Sequence, residues 1–297
     1  MPPDPGPASP RDPDPALLSL ERGLDALDPP AVARRPWWRR TAAAVLPPVV
    51  ATVLVLAVWQ LMIWAEVRDR ATFPSPGDVA AALADQWQQG TLQEAVWLSL
   101  SRGALGFAFS VLIGTPLGLV VARVRVLRTA LAPVLSGLQS LPSVAWVPAG
   151  IIWFGLSPAT IYFVVLLGAV PSIANGTISG IDQVPPLHLR VGRVLGARGL
   201  TAARYVIMPA ALPGYVGGLK QGWAFAWRSL MAAELIAQSP RLGTGLGQLL
   251  DTGRTLFDIS LVFGMIIAIL AVGVAVDRIV FSPLERGVLR RRGLLVD

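Results

Sequence analysis

Three ionisable residues and two tryptophans fall on one side of an otherwise apolar stretch: Lys220, Trp223, Trp227, Arg228 and Glu234. At about 100° per residue, with Lys220 at zero, Trp227 lies near −20°, Glu234 near −40°, Trp223 near −60° and Arg228 near +80°. All five share less than half of a helix. Charges inside a membrane span usually face a bundle interior or a wet cavity and mark a pathway. The arc therefore reads as part of a translocation path, with Lys220 and Arg228 suited to an anionic solute. A plainer reading keeps Arg228 and Glu234 as structural charges near a helix end, snorkelling or paired with neighbouring helices. A second run, Leu141-Pro142-Ser143-Val144-Ala145-Trp146-Val147-Pro148, is followed by Trp153-Phe154-Gly155. Its prolines break any helix, so Trp146 and Trp153 would either gate the path against the charged stretch or serve as packing kinks.

Other chemistry has little to work with. The chain has no cysteine and a single histidine, His188, which excludes disulfides, thiol catalysis and a histidine metal cluster. His188 reads as a solvated loop residue. No catalytic residue and no metal site are expected. The segment Gly243-Thr244-Gly245-Leu246-Gly247 lacks the lysine and following Ser/Thr of a phosphate-binding loop.

The elements that would position these residues follow from hydropathy. The chain is 54% hydrophobic and 14% charged over 297 residues, with a mean hydropathy of +0.59. Such values point to several membrane spans. Residues 1–40 are rich in Pro and Asp and read as a disordered tail. Within it Leu17, Leu20, Leu24 and Leu27 recur at helical spacing. They form either a short amphipathic helix for a partner or the membrane surface, or a marginal solvated helix. The tail lacks a secretory-signal layout. Arg34, Arg35, Trp37, Trp38, Arg39 and Arg40 then make a basic, aromatic approach to the bilayer.

Residues 41–285 read as an all-α integral membrane domain of six transmembrane helices. The expected spans are about 43–64, 95–121, 130–154, 159–178, 210–236 and 256–281, each near the ~20 residues needed to cross. The third holds Pro133, Pro142 and Pro148, so it crosses only as a kinked or broken helix. The break at Gly155-Leu156-Ser157-Pro158 separates it from the fourth. Residues 286–297 form a basic tail.

Between the fourth and fifth spans lies Leu187–Pro213, with Arg190, Arg193, Arg198 and Arg204. At roughly 2.5–3.5 kcal/mol for each arginine in hydrocarbon, this segment leaves the bilayer. Gly196, in mid-segment, marks a bend or a close backbone approach. The segment is either a helix–turn–helix knob for a soluble partner or an ordinary basic loop. With both termini on its side, that side carries eighteen Lys and Arg residues against four on the other, while Arg102, Lys220 and Arg228 lie within spans. The positive-inside bias makes both termini and the loop cytoplasmic. The net charge of +7 thus follows topology and argues against nucleic acid as a partner.

The loop resembles the coupling-loop motif of ABC-importer permeases, in which an E-A-A triplet precedes a glycine and an I-x-L-P follows. Gly196 takes the glycine position and Val206-Ile207-Met208-Pro209 the tail, while Arg190-Val191-Gly192 stands where the triplet would be. A base thus replaces the acid. The Leu141–Pro148 and Trp153–Gly155 runs, Trp227–Glu234 and Gly243–Gly247 are similar to the matching regions of sulfonate, taurine and nitrate permeases. The similar segments cover about residues 92–284.

The resemblance implies a type I ABC importer permease with a cytoplasmic coupling-helix loop. Arg190, Arg193, Leu195, Gly196, Ala197, Arg198 and Gly199 would meet the ATPase by shape and packing. The implied partners are a second permease copy, a cytoplasmic ABC ATPase dimer, an extracytoplasmic solute-binding protein and membrane lipid, in the cytoplasmic membrane of a bacterial cell. ATP and Mg²⁺ would sit on the ATPase, and this chain would bind no cofactor. The solute would be a small oxyanion such as an aliphatic sulfonate, taurine or nitrate, moved inward by alternating access. The alternative is an ion-coupled secondary transporter or channel, which would show inverted repeats or relay acids. Glu234 is the one acid deep in a span before Asp277.

Overall fold

The structure, a computed structural model, describes residues 37–65 and 72–292. The leucine-patterned segment 17–27 and residues Arg34, Arg35, Arg68 and Arg70 lie outside the described residues. Every described element is a helix. The chain divides into two units, Met1–Val58 and Trp59–Asp297. In the first, the described residues are helical and belong to α1 (Trp37–Trp64), which contains Pro47 and Pro48. The Thr52 hydroxyl donates to the Pro48 carbonyl at 2.8 Å. Val49, Val50, Val53 and Leu54 are exposed, as lipid-facing side chains are.

The second unit takes in the end of α1 and then a 13-residue helix, too short to cross a membrane. Ser75 caps α2 (Pro76–Gln88) through a reciprocal box with Asp78: the Asp78 amide donates to Ser75 Oγ, and the Ser75 amide to Asp78 Oδ2. Then come α3 (Thr91–Arg123), α4 (Arg125–Ser140), a 3₁₀ turn (Ser143–Trp146) and α5 (Val147–Phe154). The expected third span is therefore two helices bent by 97° at the Leu141–Pro142 break, where prolines deny the backbone its amide donors. Gly155 turns the chain with φ +68°, and α6 (Pro158–Asp182) follows. The expected break between spans three and four is present.

After α6 the chain forms α7 (Pro186–Val194), the short α8 (Gly199–Ala202), a π turn (Ala203–Ile207) and α9 (Met208–Ile236). A 3₁₀ turn, α10 (Leu246–Thr255), α11 (Ile259–Val276), a second π turn (Asp277–Phe281) and α12 (Ser282–Arg290) complete it. The expected sixth span begins at Ile259 rather than at Leu256. Leu256 ends α10, Phe257 adopts φ +57°, and the Asp258 carboxylate caps the Leu261 amide at 3.0 Å.

Four described helices are long and apolar enough to cross a membrane: Leu46–Trp64, Thr91–Arg123, Pro158–Asp182 and Ile259–Arg290. The bent pair makes a fifth if it counts as one broken span. The count of six is not reached on these grounds. At 29 residues α9 is long enough, but Lys220, Gln221, Arg228, Glu234 and several glycines dilute its apolarity.

The core forms where α6 packs between α3 and α9. Ile161, Val164, Val165, Ala169 and Ile173 of α6 are fully enclosed, as are Ala226, Leu230 and Ala233 of α9. Burying one such Val, Leu or Ile contributes about 1.5–3 kcal/mol. The α6–α9 crossing is backbone on backbone. A Cβ on Gly176 would lie 2.3 Å from the Gly218 Cα, and one on Gly214 would lie 2.6 Å from the Gly180 Cα. Two small-xxx-small pairs, Gly176/Gly180 and Gly214/Gly218, thus face each other.

Candidate functional site

The loop between α6 and α9 is built around Gly196. Its φ is +83°, its amide donates to the Arg193 carbonyl at 3.1 Å, and the Ala197 amide donates to the Gly192 carbonyl at 2.8 Å. This is a Schellman closure of α7, which needs a left-handed residue after the helix. The bend expected at Gly196 is there, and the closure is its physical reason. The same closure throws the end of α7 outward: Val194 is 87% and Leu195 80% exposed. Gly192 packs inward, where a Cβ would lie 2.9 Å from Val206 Cγ2. Arg190, Arg193, Arg198 and Gly199 are exposed and Ala197 is half-buried. Apolar tips ringed by arginines, with no acid between Pro185 and Met208, have the character of a protein-binding surface.

The charged arc on α9 divides. Lys220, Trp223, Trp227 and Arg228 line one groove of about 910 Å³ between α9 and α11, with Gly273 and Asp277 on the far wall. Trp223 and Trp227 stack at 6.0 Å, and Phe107 meets Trp223 edge-on at 5.5 Å. The indole N–H groups of both tryptophans are buried without an acceptor among the described residues. Lys220 Nζ lies 3.4 Å from Asp277 Oδ1 and 3.2 Å from Glu285 Oε2, so its charge is already met. Arg228 has no carboxylate partner among the described residues. Its Nε donates to the Ala224 carbonyl at 3.1 Å and its guanidinium sits 4.7 Å from the Phe225 ring centre. Arg228 also lines a second cavity, of about 340 Å³, against Leu141–Val144 of the broken third span.

Glu234, Trp146 and Trp153 do not line the groove. Glu234 is wholly enclosed, as a partner for Arg102. Arg102 Nη1 lies 3.0 Å from Glu234 Oε1, Ser99 Oγ donates to Oε2 at 2.7 Å, and the Gly247 amide donates to Oε2 at 3.2 Å. The Leu246 amide donates to Ser99 Oγ at 2.9 Å, and Arg102 Nη2 donates to the Leu242 carbonyl. The N-terminus of α10 thus points at a carboxylate, the sign its dipole favours. Trp153 is largely exposed, 5.5 Å from the Phe163 ring, while Trp146 is half-buried in the 3₁₀ turn. The broken span is tied to α9 by Ser229 Oγ donating to Ser143 Oγ at 2.7 Å.

By sequence Arg102 lies within a span with no partner assigned to it. The signal was available. A buried arginine and a deep acid each need a counter-charge, and Glu234 was the one acid at that depth. The Gly243–Gly247 segment, which lacks the residues of a phosphate-binding loop, is the lid of this pair and the start of α10. A Cβ on Gly245 would lie 2.5 Å from the Glu234 carboxylate.

Comparison with known proteins places this geometry. Residues 114–282 match the family described as binding-protein-dependent transport system inner membrane component. The taurine transport system permease protein TauC of Escherichia coli (strain K12) is 28% identical over 239 residues, 77% of this chain and 87% of that one. The riboflavin transport system permease protein RibX of Chloroflexus aurantiacus is 32% identical over 214 residues, 72% of this chain and 78% of its own. The nitrate import permease protein NrtB of Synechocystis is 28% identical over 242 residues, 77% and 83% of the two chains. Among solved structures, a chain of the MetNI methionine ABC transporter in an inward-facing conformation has the same fold. Its TM-score is 0.52 at 22% identity, covering 68% of this chain and 97% of that one.

Proposed function

Because the chain belongs to the family of binding-protein-dependent transport system inner membrane components, we propose that this ABC importer permease subunit admits a small oxyanion. It is a translocation subunit and not the ATPase, which is a separate partner. The oxyanion is an aliphatic sulfonate, taurine or nitrate. What carries this reading is Arg228, an arginine without a carboxylate partner among the described residues that borders both the α9–α11 groove and the cavity at the broken span. A cation in that place suits the taurine and nitrate named for two relatives better than the riboflavin named for a third. An ion-coupled mechanism would need Glu234 to exchange protons, and its carboxylate is engaged by Arg102, Ser99 and the Gly247 amide.

The rest of the reading is topological. Two copies of the chain sit on two ATPase subunits, α9 completes six spans, and both termini and the Pro186–Ala202 segment are cytoplasmic. The binding protein meets the opposite end, near α10. The test is ATP-dependent uptake of labelled taurine, an alkanesulfonate, nitrate and riboflavin by the complex reconstituted in liposomes. Arg228→Ala should lower uptake of the preferred anion roughly ten- to hundredfold, the worth of a charged hydrogen bond, with the complex still assembled. Lys220→Ala should lower it less, since Asp277 and Glu285 already hold that ammonium. Unchanged uptake in Arg228→Ala would remove the anion path.

The exposed tip of α7 carries a second test. Arg190 stands where the family resemblance would place an acid, so it meets an acidic patch on its own ATPase. Arg190→Glu should weaken co-purification of that ATPase roughly tenfold, since like charges across an interface are strongly disfavoured. Equal recovery would show that packing by Val194 and Leu195 carries the contact.

A further inference from the structure

A pocket of about 500 Å³ opens at the end of the bundle that carries the α6–α9 loop, away from the groove and the Glu234 pair. Three arginines from three separate elements converge on it: Arg123 at the end of α3, Arg204 in the first π turn, and Arg292 after α12. No acidic residue lines it, and none of the three makes an ion pair among the described residues. Its inner wall is apolar, with Leu119, Met208 and Leu212, and carries a hydroxyl pair, Thr115 Oγ1 and Tyr215 Oη, at 2.8 Å.

We propose that this pocket binds an acidic phospholipid, its phosphate among Arg123, Arg204 and Arg292 and its glycerol and first acyl carbons against Leu119, Met208 and Leu212. Two physical facts select that occupant. Three guanidinium groups without counter-ions repel one another unless an anion joins them, and arginine suits phosphate by its planar fork. A soluble anion would leave the apolar wall unfilled, whereas a lipid covers both parts. Basic pockets between helices on the cytoplasmic side are where acidic headgroups bind, so the inference rests on the topology proposed above. The π turn that supplies Arg204 joins α8 to α9. A lipid held there would brace the loop that meets the ATPase.

The test uses the full chain in detergent, with phosphatidylglycerol or phosphatidylcholine titrated in and bound lipid counted by native mass spectrometry. Phosphatidylglycerol should bind selectively. The double variant R123Q/R292Q should weaken it about 25-fold, at roughly fivefold per arginine, and L212W should weaken it with every charge intact. Equal affinity for the two lipids would overturn the proposal. So would an unaltered L212W, or displacement of phosphatidylglycerol by inorganic phosphate, which would make this a site for soluble anions. Should either variant unfold on heating earlier than the parent, lipid selectivity and phosphate competition on the unaltered chain decide. The measurement does not depend on topology or uptake, so its failure leaves the importer reading standing.

Discussion

Glu234→Ala is expected to destabilise the permease by about 3–5 kcal/mol, the cost of leaving a buried charge without its partner. Arg102 is 7% exposed and Glu234 wholly enclosed, so water cannot replace the lost carboxylate. The guanidinium would keep the Leu242 carbonyl but lose its counter-charge, while Ser99 and the Gly247 amide would lose an acceptor. In thermal unfolding of the detergent-solubilised protein this should appear as a fall in Tm of roughly 6–20 °C for a domain of this size. Glu234→Gln keeps an acceptor for Ser99 and Gly247 but loses the charge and sets an amide NH2 against Arg102, so it should fall between the parent and Glu234→Ala. Arg102→Met should cost about as much as Glu234→Ala. The double variant should cost less than the sum of the two, because the second change removes a charge that the first left stranded. Additive effects would show that the two side chains do not act as a pair. A Tm within about 2 °C of the parent would mean that the pair is open to water.

The same residues mark the limit of what the linear chain discloses. Periodicity put Glu234 beside Lys220 on one face of α9, and both do lie on that helix. Periodicity cannot say which neighbour covers which turn, and there the two part. One end of the arc faces a groove and the other is sealed by α3 and α10. Lys220 looked like a free cation because Asp277 and Glu285 are far along the chain and meet it only when α11 and α12 pack back on α9. The loop at Gly196 was more legible, since a Schellman closure depends on residues within one turn. The helices α2 and α10 leave no mark in an apolar window of about twenty residues, because each is short and amphipathic. The broken third span was legible from its prolines, but its 97° bend was not. Proline removes a hydrogen bond locally, and the packing of neighbouring helices sets the angle.

The facing glycine motifs Gly176/Gly180 and Gly214/Gly218 govern the largest effect expected of any single substitution. Gly176→Leu should yield no monodisperse folded permease on extraction, and Gly176→Ala should cost about 3 kcal/mol, the upper end of ordinary overpacking. The obstacle to a Cβ at Gly176 is the Gly218 Cα at 2.3 Å, which is backbone and not the movable end of a side chain. The helices must part to admit it, and the enclosed Val165, Ala169 and Ile173 would lose contacts along with the crossing. Gly217, one residue from Gly218, is the control, because a Cβ there meets nothing within 4 Å. Gly217→Ala should be neutral or stabilise by up to about 1 kcal/mol through helix propensity. Equal melting of Gly176→Ala and Gly217→Ala would show that the crossing is loose. The closeness also bears on transport. Helix α6 runs into the loop that begins at Pro186, and α9 runs out of it through the first π turn. Helices locked backbone to backbone cannot slide independently, so a force on the loop should move α6, α9 and Arg228 as one body. Gly218→Ala should therefore lower the uptake obtained per ATP hydrolysed, even in the fraction that folds. An unchanged ratio of uptake to hydrolysis in that fraction would place the coupling elsewhere.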